Sequence, residues 1–106
     1  MKKILVTGGS GLVGKYLNFF LPNAVYISSK DYDLTSEKDI IKLFKSNNYH
    51  TIIHLAARVG GVHHNIEEPV KYFEENVLMN TLLIKHAYKN NVKRFLGVLS
   101  SCIYPN

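Results

Sequence analysis

The stretch that most constrains this chain is Lys3 to Leu21, KILVTGGSGLVGKYLNFFL. Ile4-Leu5-Val6 is an apolar run too short for a helix and of the right composition for a fully buried parallel strand. Gly8, Gly9, Gly11 and Gly14 follow at once, and then Leu12, Val13, Tyr16, Leu17, Phe20 and Leu21 recur at helical spacing until Pro22 stops the run. A strand, a glycine turn and a helix in that order make a phosphate cradle. The glycines let the chain turn tightly and let backbone N–H groups approach a pyrophosphate, which then sits at the positive end of the helix. Gly9, Gly11 and Gly14 satisfy G-x-G-x-x-G, while Gly8, Gly11 and Gly14 behind Thr7 satisfy T-G-x-x-G-x-x-G, with Ser10, Leu12 and Val13 between them. Glycines also serve turns and caps for structural reasons alone. Placement directly between a strand and an amphipathic helix is what gives the pattern its functional reading.

At 106 residues the chain is one domain or part of one, and 46% hydrophobic with 20% charged residues is ordinary globular composition. No apolar run approaches the ~20 residues of a membrane span. Met1-Lys2-Lys3 leads straight into a strand without a cleavage pattern, and Cys102 is a lone cysteine, so a soluble cytoplasmic protein is expected. The net charge of +5 is spread over scattered basic residues, with no cluster longer than Lys2-Lys3 or Lys93-Arg94. That distribution argues against nucleic acid as a partner and suits an anionic nucleotide or a solvated surface.

Beyond Pro22, Ala24 to Ser28 reads as a second strand. An acid about 20 positions after the glycines takes the ribose hydroxyls in NAD sites, whereas basic or hydroxyl groups there accommodate the 2′-phosphate of NADP. Ser28, Ser29 and Lys30 favour NADP, and Asp31, one residue later, is the competing acid. Asp33 contacts the adenine amine or begins the capping of the next helix. That helix is expected over Ser36 to Lys45, capped by Thr35 or Ser36, with Ile40, Ile41 and Phe44 on its buried side. Thr51 to Ala57 reads as a third strand buried on both faces, with His54 a core residue. Leu55, Ala56 and Ala57 close it, and the small alanines at its carboxyl end leave room for a cofactor.

Arg58 to Asn65 is a polar, glycine-bearing loop over that end, and its adjacent His63 and His64 lack further partners at ligand spacing, so no metal is expected. Glu67-Glu68-Pro69 starts a long helix whose buried stripe is expected to be Phe73, Val77, Leu78, Leu82, Ile84 and Ala87, with Asn76 and Asn80 as polar exceptions. Asn90-Asn91 ends it, and Arg94 to Leu99 is a fourth strand. Strands alternating with helices at crossover length imply an α/β Rossmann-type parallel sheet, strand order 2-1-3-4, with helices on both faces. The cofactor crosses the reversal between the first and third strands. Past the fourth strand, Ser100 offers a hydroxyl for a substrate carbonyl or alcohol and Cys102 a thiol base; a Ser-rich turn explains the same residues equally well.

Taken together, Thr7 to Gly14, Ser28 to Asp31, Asp33-Leu34-Thr35, His54 to Ala57, Val59-Gly60-Gly61-Val62, Asn65, Asn76-Val77 and Ser100-Ser101-Cys102-Ile103-Tyr104-Pro105 resemble the amino-terminal part of the GDP-L-fucose synthases. These are extended short-chain dehydrogenases/reductases, and the resemblance spans essentially the whole chain. It implies epimerisation at C3 and C5 of GDP-4-keto-6-deoxy-D-mannose, then NADPH reduction at C4. It further implies that Ser100 hydrogen-bonds the ketone oxygen, that Cys102 is the epimerisation base, that Lys30 and its serines hold the 2′-phosphate, that Asn76 faces the cofactor and that Gly60, Gly61 and Asn65 lie against the sugar.

The family's catalytic Tyr-x-x-x-Lys pair, its histidine acid and most of the GDP-sugar domain come further along the chain. Residues 1–106 are therefore expected to be a partial NAD(P)-binding domain, without the substrate domain, inactive alone and homodimeric in its full-length form. Tyr26 to Lys30 has the Tyr-x-x-x-Lys spelling but starts on a strand, where i and i+4 side chains do not share a helix face. Rival readings are another extended sugar-nucleotide epimerase or dehydratase recycling NAD, a non-catalytic dinucleotide-binding module, and a piece left unstable by an exposed fourth strand.

Overall fold

A computed structural model describes residues 3–56 and 69–97. Four strands, β1 (Lys3–Thr7), β2 (Val25–Ile27), β3 (Tyr49–His54) and β4 (Arg94–Gly97), form one sheet in the order β2-β1-β3-β4. All three pairings are parallel, with Leu5 opposite both Val25 and Ile52 and with Ile52 opposite Phe95. The helices are α1 (Leu12–Leu17), α2 (Glu37–Ser46) and α3 (Pro69–Lys89). The chain leaves β1 for β2 on one side and then returns past β1 to β3. Right-handed crossovers in these opposite directions place α1 and α2 on opposite faces of the sheet.

One face is well filled. Leu5 and Ile52 of the sheet pack with Ile40, Leu43 and Phe44 of α2 and Met79, Leu83 and Ala87 of α3, while Phe95 adds from β4. On the other face, Val6, Ile53 and Leu96 lie in one row across paired strands. Val6 is fully buried, whereas Leu96 is 58% exposed, so cover on that side runs out toward β4.

Local chemistry explains most boundaries. Ser36 caps α2 by accepting from the Asp39 N–H, and Glu37 and Asp39 lie in the positive first turn. Asn47 ends α2 in extended conformation. Asn91, at φ 60°, ends α3: the Val92 N–H reaches back to the Ala87 carbonyl at 2.9 Å, the closure that a left-handed residue after a helix permits.

Several expectations need correction. The first helix stops at Leu17 rather than running to Leu21, because Phe19 and Phe20 donate to carbonyls three residues back, tightening the last turn. Its apolar residues are not buried either: Leu12 is 87% exposed and Phe20 66%, and only Gly14 of α1 is buried. On α2, Leu43 rather than Ile41 completes the stripe with Ile40 and Phe44. On α3 the inward face is Asn76, Met79, Leu83, His86 and Ala87, while Phe73, Val77, Leu78 and Ile84 face outward. The third strand runs from Tyr49 to His54, earlier at both ends than expected, because Tyr49 pairs with Lys3 and fills the core against Phe44. The fourth is described only over Arg94–Gly97.

Candidate dinucleotide-binding site

The order β2-β1-β3 puts a reversal of direction between the carboxyl ends of β1 and β3, the place where open parallel sheets accept ligands. The glycine turn sits there. Gly8 follows β1 with φ 71°, and a Cβ on it would lie 2.8 Å from the Ala56 nitrogen, so the turn presses against the end of β3. A Cβ on Gly14 would meet the Gly8 oxygen at 2.7 Å, so α1 is seated directly on the turn. Hydrogen bonds close the arrangement: Gly9 N–H donates to the Ile27 carbonyl (2.8 Å) and Gly11 N–H to the Gly8 carbonyl (3.1 Å).

Gly11 differs from these. Its φ of −75° suits any residue, and among the described residues a Cβ would meet nothing nearer than the Gly8 oxygen at 3.4 Å, ordinary contact. The packing of the described residues gives no reason for glycine at this position. Close approach of a ligand to the backbone does, so the turn fits a pyrophosphate. Ser10, Leu12 and Val13 are exposed around it.

The end of β2 carries the second cluster. Asp31 folds back so that its carboxylate accepts the Ser28 N–H (2.8 Å) and hydroxyl (3.3 Å), and the Ser28 hydroxyl oxygen in turn accepts the Lys30 N–H at 3.3 Å. The competing acid is thus occupied in its own turn, and Ser29 and Lys30 are exposed. Asp33 accepts the Thr35 hydroxyl (2.6 Å) and N–H (3.0 Å), so it shapes the turn before α2, while the cap itself is Ser36. Tyr26 donates its hydroxyl to the Leu21 carbonyl at 2.6 Å and sits on β2, with Lys30 beyond the strand in the turn, so this Tyr-x-x-x-Lys spelling makes no helical pair.

The third side is the end of β3. Leu55 and Ala56 are half-buried there, and their N–H groups reach the Thr7 hydroxyl oxygen at 3.1 and 3.2 Å. Thr7 is fully buried and its hydroxyl lies 2.6 Å from His54 Nδ1. Burial pushes the His54 pKa down, opposed by a hydrogen bond that the ring donates to the Asn80 side chain of α3. Asn76, 4% exposed, lies one turn earlier on the same inward face. Thr7 and Asn80 were not expected among the residues organising the site. The signal for both was polarity on otherwise apolar, inward-facing positions. Ala57, Gly60, Gly61, Asn65, Ser100 and Cys102 lie outside the described residues. A hollow of about 180 Å³ lined by Ile4, Phe20 and Leu21 is at the opposite, amino-terminal end of β1 and is unrelated to the crevice.

The fold is a Rossmann-type parallel sheet, and the crevice is its candidate dinucleotide site. Comparison narrows the class: residues 4–106 match the model of the NAD dependent epimerase/dehydratase family, and the chain belongs to that family. It is 41% identical over 107 residues to a GDP-L-colitose synthase of Yersinia pseudotuberculosis, covering 97% of this chain and 35% of that protein. It is 36% identical over 113 residues to a probable GDP-L-fucose synthase of Drosophila melanogaster, covering 100% and 35%. A GDP-L-fucose synthetase structure from Naegleria fowleri, bound to NADP, superposes with a TM-score of 0.82 at 33% identity, covering 99% of this chain and 36% of that one. The chain spans about a third of the length of these relatives.

Proposed function

We propose that the turn from Gly8 to Gly14 holds the pyrophosphate of NADP(H) and that Ser28, Ser29 and Lys30 receive its 2′-phosphate. The observation that carries this reading is the contrast at the turn: among the described residues, packing demands glycine at Gly8 and Gly14 and not at Gly11. Support for the phosphate over the free ribose comes from Asp31, whose Oδ2 is engaged by the Ser28 N–H and hydroxyl, beside an exposed Lys30. The NADP found in the Naegleria relative agrees.

In this reading the domain serves an epimerase-reductase acting on a GDP-4-keto-6-deoxy sugar, GDP-4-keto-6-deoxy-D-mannose being the substrate that the resemblance to GDP-L-fucose synthases implies. When bound, NADPH supplies the hydride for the C4 ketone. In this reading Ser100 hydrogen-bonds the ketone oxygen, Cys102 takes the C3 and C5 protons, and Gly60, Gly61 and Asn65 lie along the sugar, with Asn76 on the cofactor side. The similarity to two GDP-sugar synthases at 36–41% identity supports that substrate class.

The test is a fluorescence titration of the whole chain with NADPH and with NADH. NADPH should bind more tightly, and Lys30→Ala should weaken NADPH by about tenfold, the worth of one lost charge-assisted hydrogen bond, while leaving NADH unchanged. Equal affinity for the two, untouched by the substitution, would support an NAD-recycling epimerase instead.

A further inference from the structure

His54 is 3% exposed and takes no part in the chemistry proposed above, yet its surroundings are ordered in a way that simple space-filling does not require. The Thr7 hydroxyl oxygen faces three nitrogens: Leu55 N at 3.1 Å, Ala56 N at 3.2 Å and His54 Nδ1 at 2.6 Å. The two backbone amides can only donate, although Leu55 shares its N–H with the Thr7 carbonyl at 3.2 Å. They take the lone pairs of the hydroxyl oxygen, and its hydrogen is left for Nδ1. The opposite polarity, with Nδ1–H donating, would crowd a third N–H onto that oxygen and strand the hydroxyl hydrogen in the core, which costs more than one hydrogen bond returns. Nδ1 is therefore the bare nitrogen. The neutral ring carries its proton on Nε2, the atom left to serve the Asn80 side chain.

A directed chain results, from the Leu55 and Ala56 amides to Thr7, from Thr7 to His54, and from His54 to α3. The peptide it holds is the one against which the turn packs, since a Cβ on Gly8 would meet Leu55 C at 2.9 Å and Ala56 N at 2.8 Å. The position of that peptide therefore sets where the glycine turn rests on the end of β3. We propose that His54 is a positioning residue for the dinucleotide cradle: through the Thr7 hydroxyl it fixes the end of β3 against the glycine turn at the separation the cofactor needs. This rests on the reading of the turn as a dinucleotide site, and the two are separable.

Long-range ¹H–¹⁵N spectra of the whole chain read the ring directly. The expected result is the Nε2–H tautomer, neutral at pH values where an exposed histidine titrates; an Nδ1–H tautomer or an imidazolium at neutral pH overturns the inference. NADPH titration then separates positioning from packing. The carbonyl of Asn at position 54 still accepts from Thr7, whereas Leu cannot. His54→Asn should bind NADPH within about threefold of the unaltered chain and His54→Leu about tenfold more weakly, although both lose thermal stability. Equal affinity of His54→Leu and the unaltered chain overturns the proposal. Should His54→Leu fail to fold, Thr7→Val takes its place: the hydroxyl that keeps Nδ1 bare is gone, so a mixed tautomer population and about tenfold weaker NADPH are expected. An unmixed Nε2–H signal with unchanged affinity would contradict it. If the unaltered chain binds no NADPH, the dinucleotide reading fails, and the tautomer alone decides on the hydrogen-bond chain.

Discussion

Replacing Gly8 and Gly11 one at a time by alanine separates what the fold needs from what the ligand needs. At Gly8, φ is 71°, and a left-handed conformation costs a non-glycine residue about 1–2 kcal/mol. The added Cβ would also lie 2.8 Å from Ala56 N and 2.9 Å from Leu55 C, both backbone atoms that cannot swing aside. Forcing such an overlap costs about 1–3 kcal/mol more, for a loss of about 2–5 kcal/mol in all. That is a large part of the ~5–15 kcal/mol that holds a domain together. With a urea slope of about 1–3 kcal/mol/M, the unfolding midpoint should fall by about 1 M or more. Among the described residues, Gly11→Ala meets only the Gly8 oxygen at 3.4 Å, and it keeps an ordinary φ. It should leave stability unchanged or raised by up to about 1 kcal/mol, yet abolish NADPH binding by filling the space where phosphate meets backbone. Urea unfolding followed by circular dichroism, with NADPH titration of the folded variants, measures both. Gly8→Ala unfolding like the unaltered chain would refute the packing argument, and Gly11→Ala binding NADPH normally would refute the reading of the cradle.

Other consequences are simpler to check. Glu37 accepts from Lys85 at 2.9 Å and His86 at 2.8 Å, and these bonds, that of Lys85 foremost, hold its pKa down to about 2. A depressed carboxyl adds stability that is present above its ordinary value of 4.5 and lost as pH falls toward about 2. Acid titrations of the unaltered chain and Glu37→Gln should therefore diverge above pH 4.5 and converge near pH 2. Leu43, fully buried between α2 and the sheet, should cost about 2–5 kcal/mol on truncation to alanine. Phe19→Ser, at a side chain 83% exposed, should change stability by less than about 0.5 kcal/mol, as thermal melts of the two variants would show. Asn91→Gly should stabilise by a few tenths of a kcal/mol to about 1 kcal/mol, since φ 60° suits glycine better.

The sheet order could be read from sequence because short apolar runs, glycine and asparagine stops and crossover-length helices leave few parallel arrangements. The faces of the helices could be read only in part: Ile40 and Phe44 of α2 and Leu82 and Ala87 of α3 lie inward as expected. On α3 the inward stripe includes Asn76 and His86, and Phe73, Val77 and Ile84 form a competing apolar stripe that faces outward. Hydrophobic periodicity follows the apolar residues wherever they point, so it mixed the two sides, placing Leu82 and Ala87 correctly and the outward residues wrongly. α1 failed for the same reason: Leu12, Val13, Tyr16 and Phe20 have helical spacing but little beneath them. At the site, the glycines announced themselves by composition, whereas the Thr7–His54–Asn80 connection joins residues 47 positions apart on two strands with a third on a helix, and only the register of β1 with β3 brings Thr7 opposite His54.

The most direct measurement is a map of backbone amide shifts in the whole chain on addition of NADPH. The cradle at Gly8 to Gly14, the turn at Ser28 to Lys30 and the strand end at Leu55 and Ala56 should shift together and saturate with one affinity, while α2 stays unmoved. Shifts confined to α2 and the outer face of α3, or none at saturating NADPH, would contradict the assignment of this crevice to a dinucleotide.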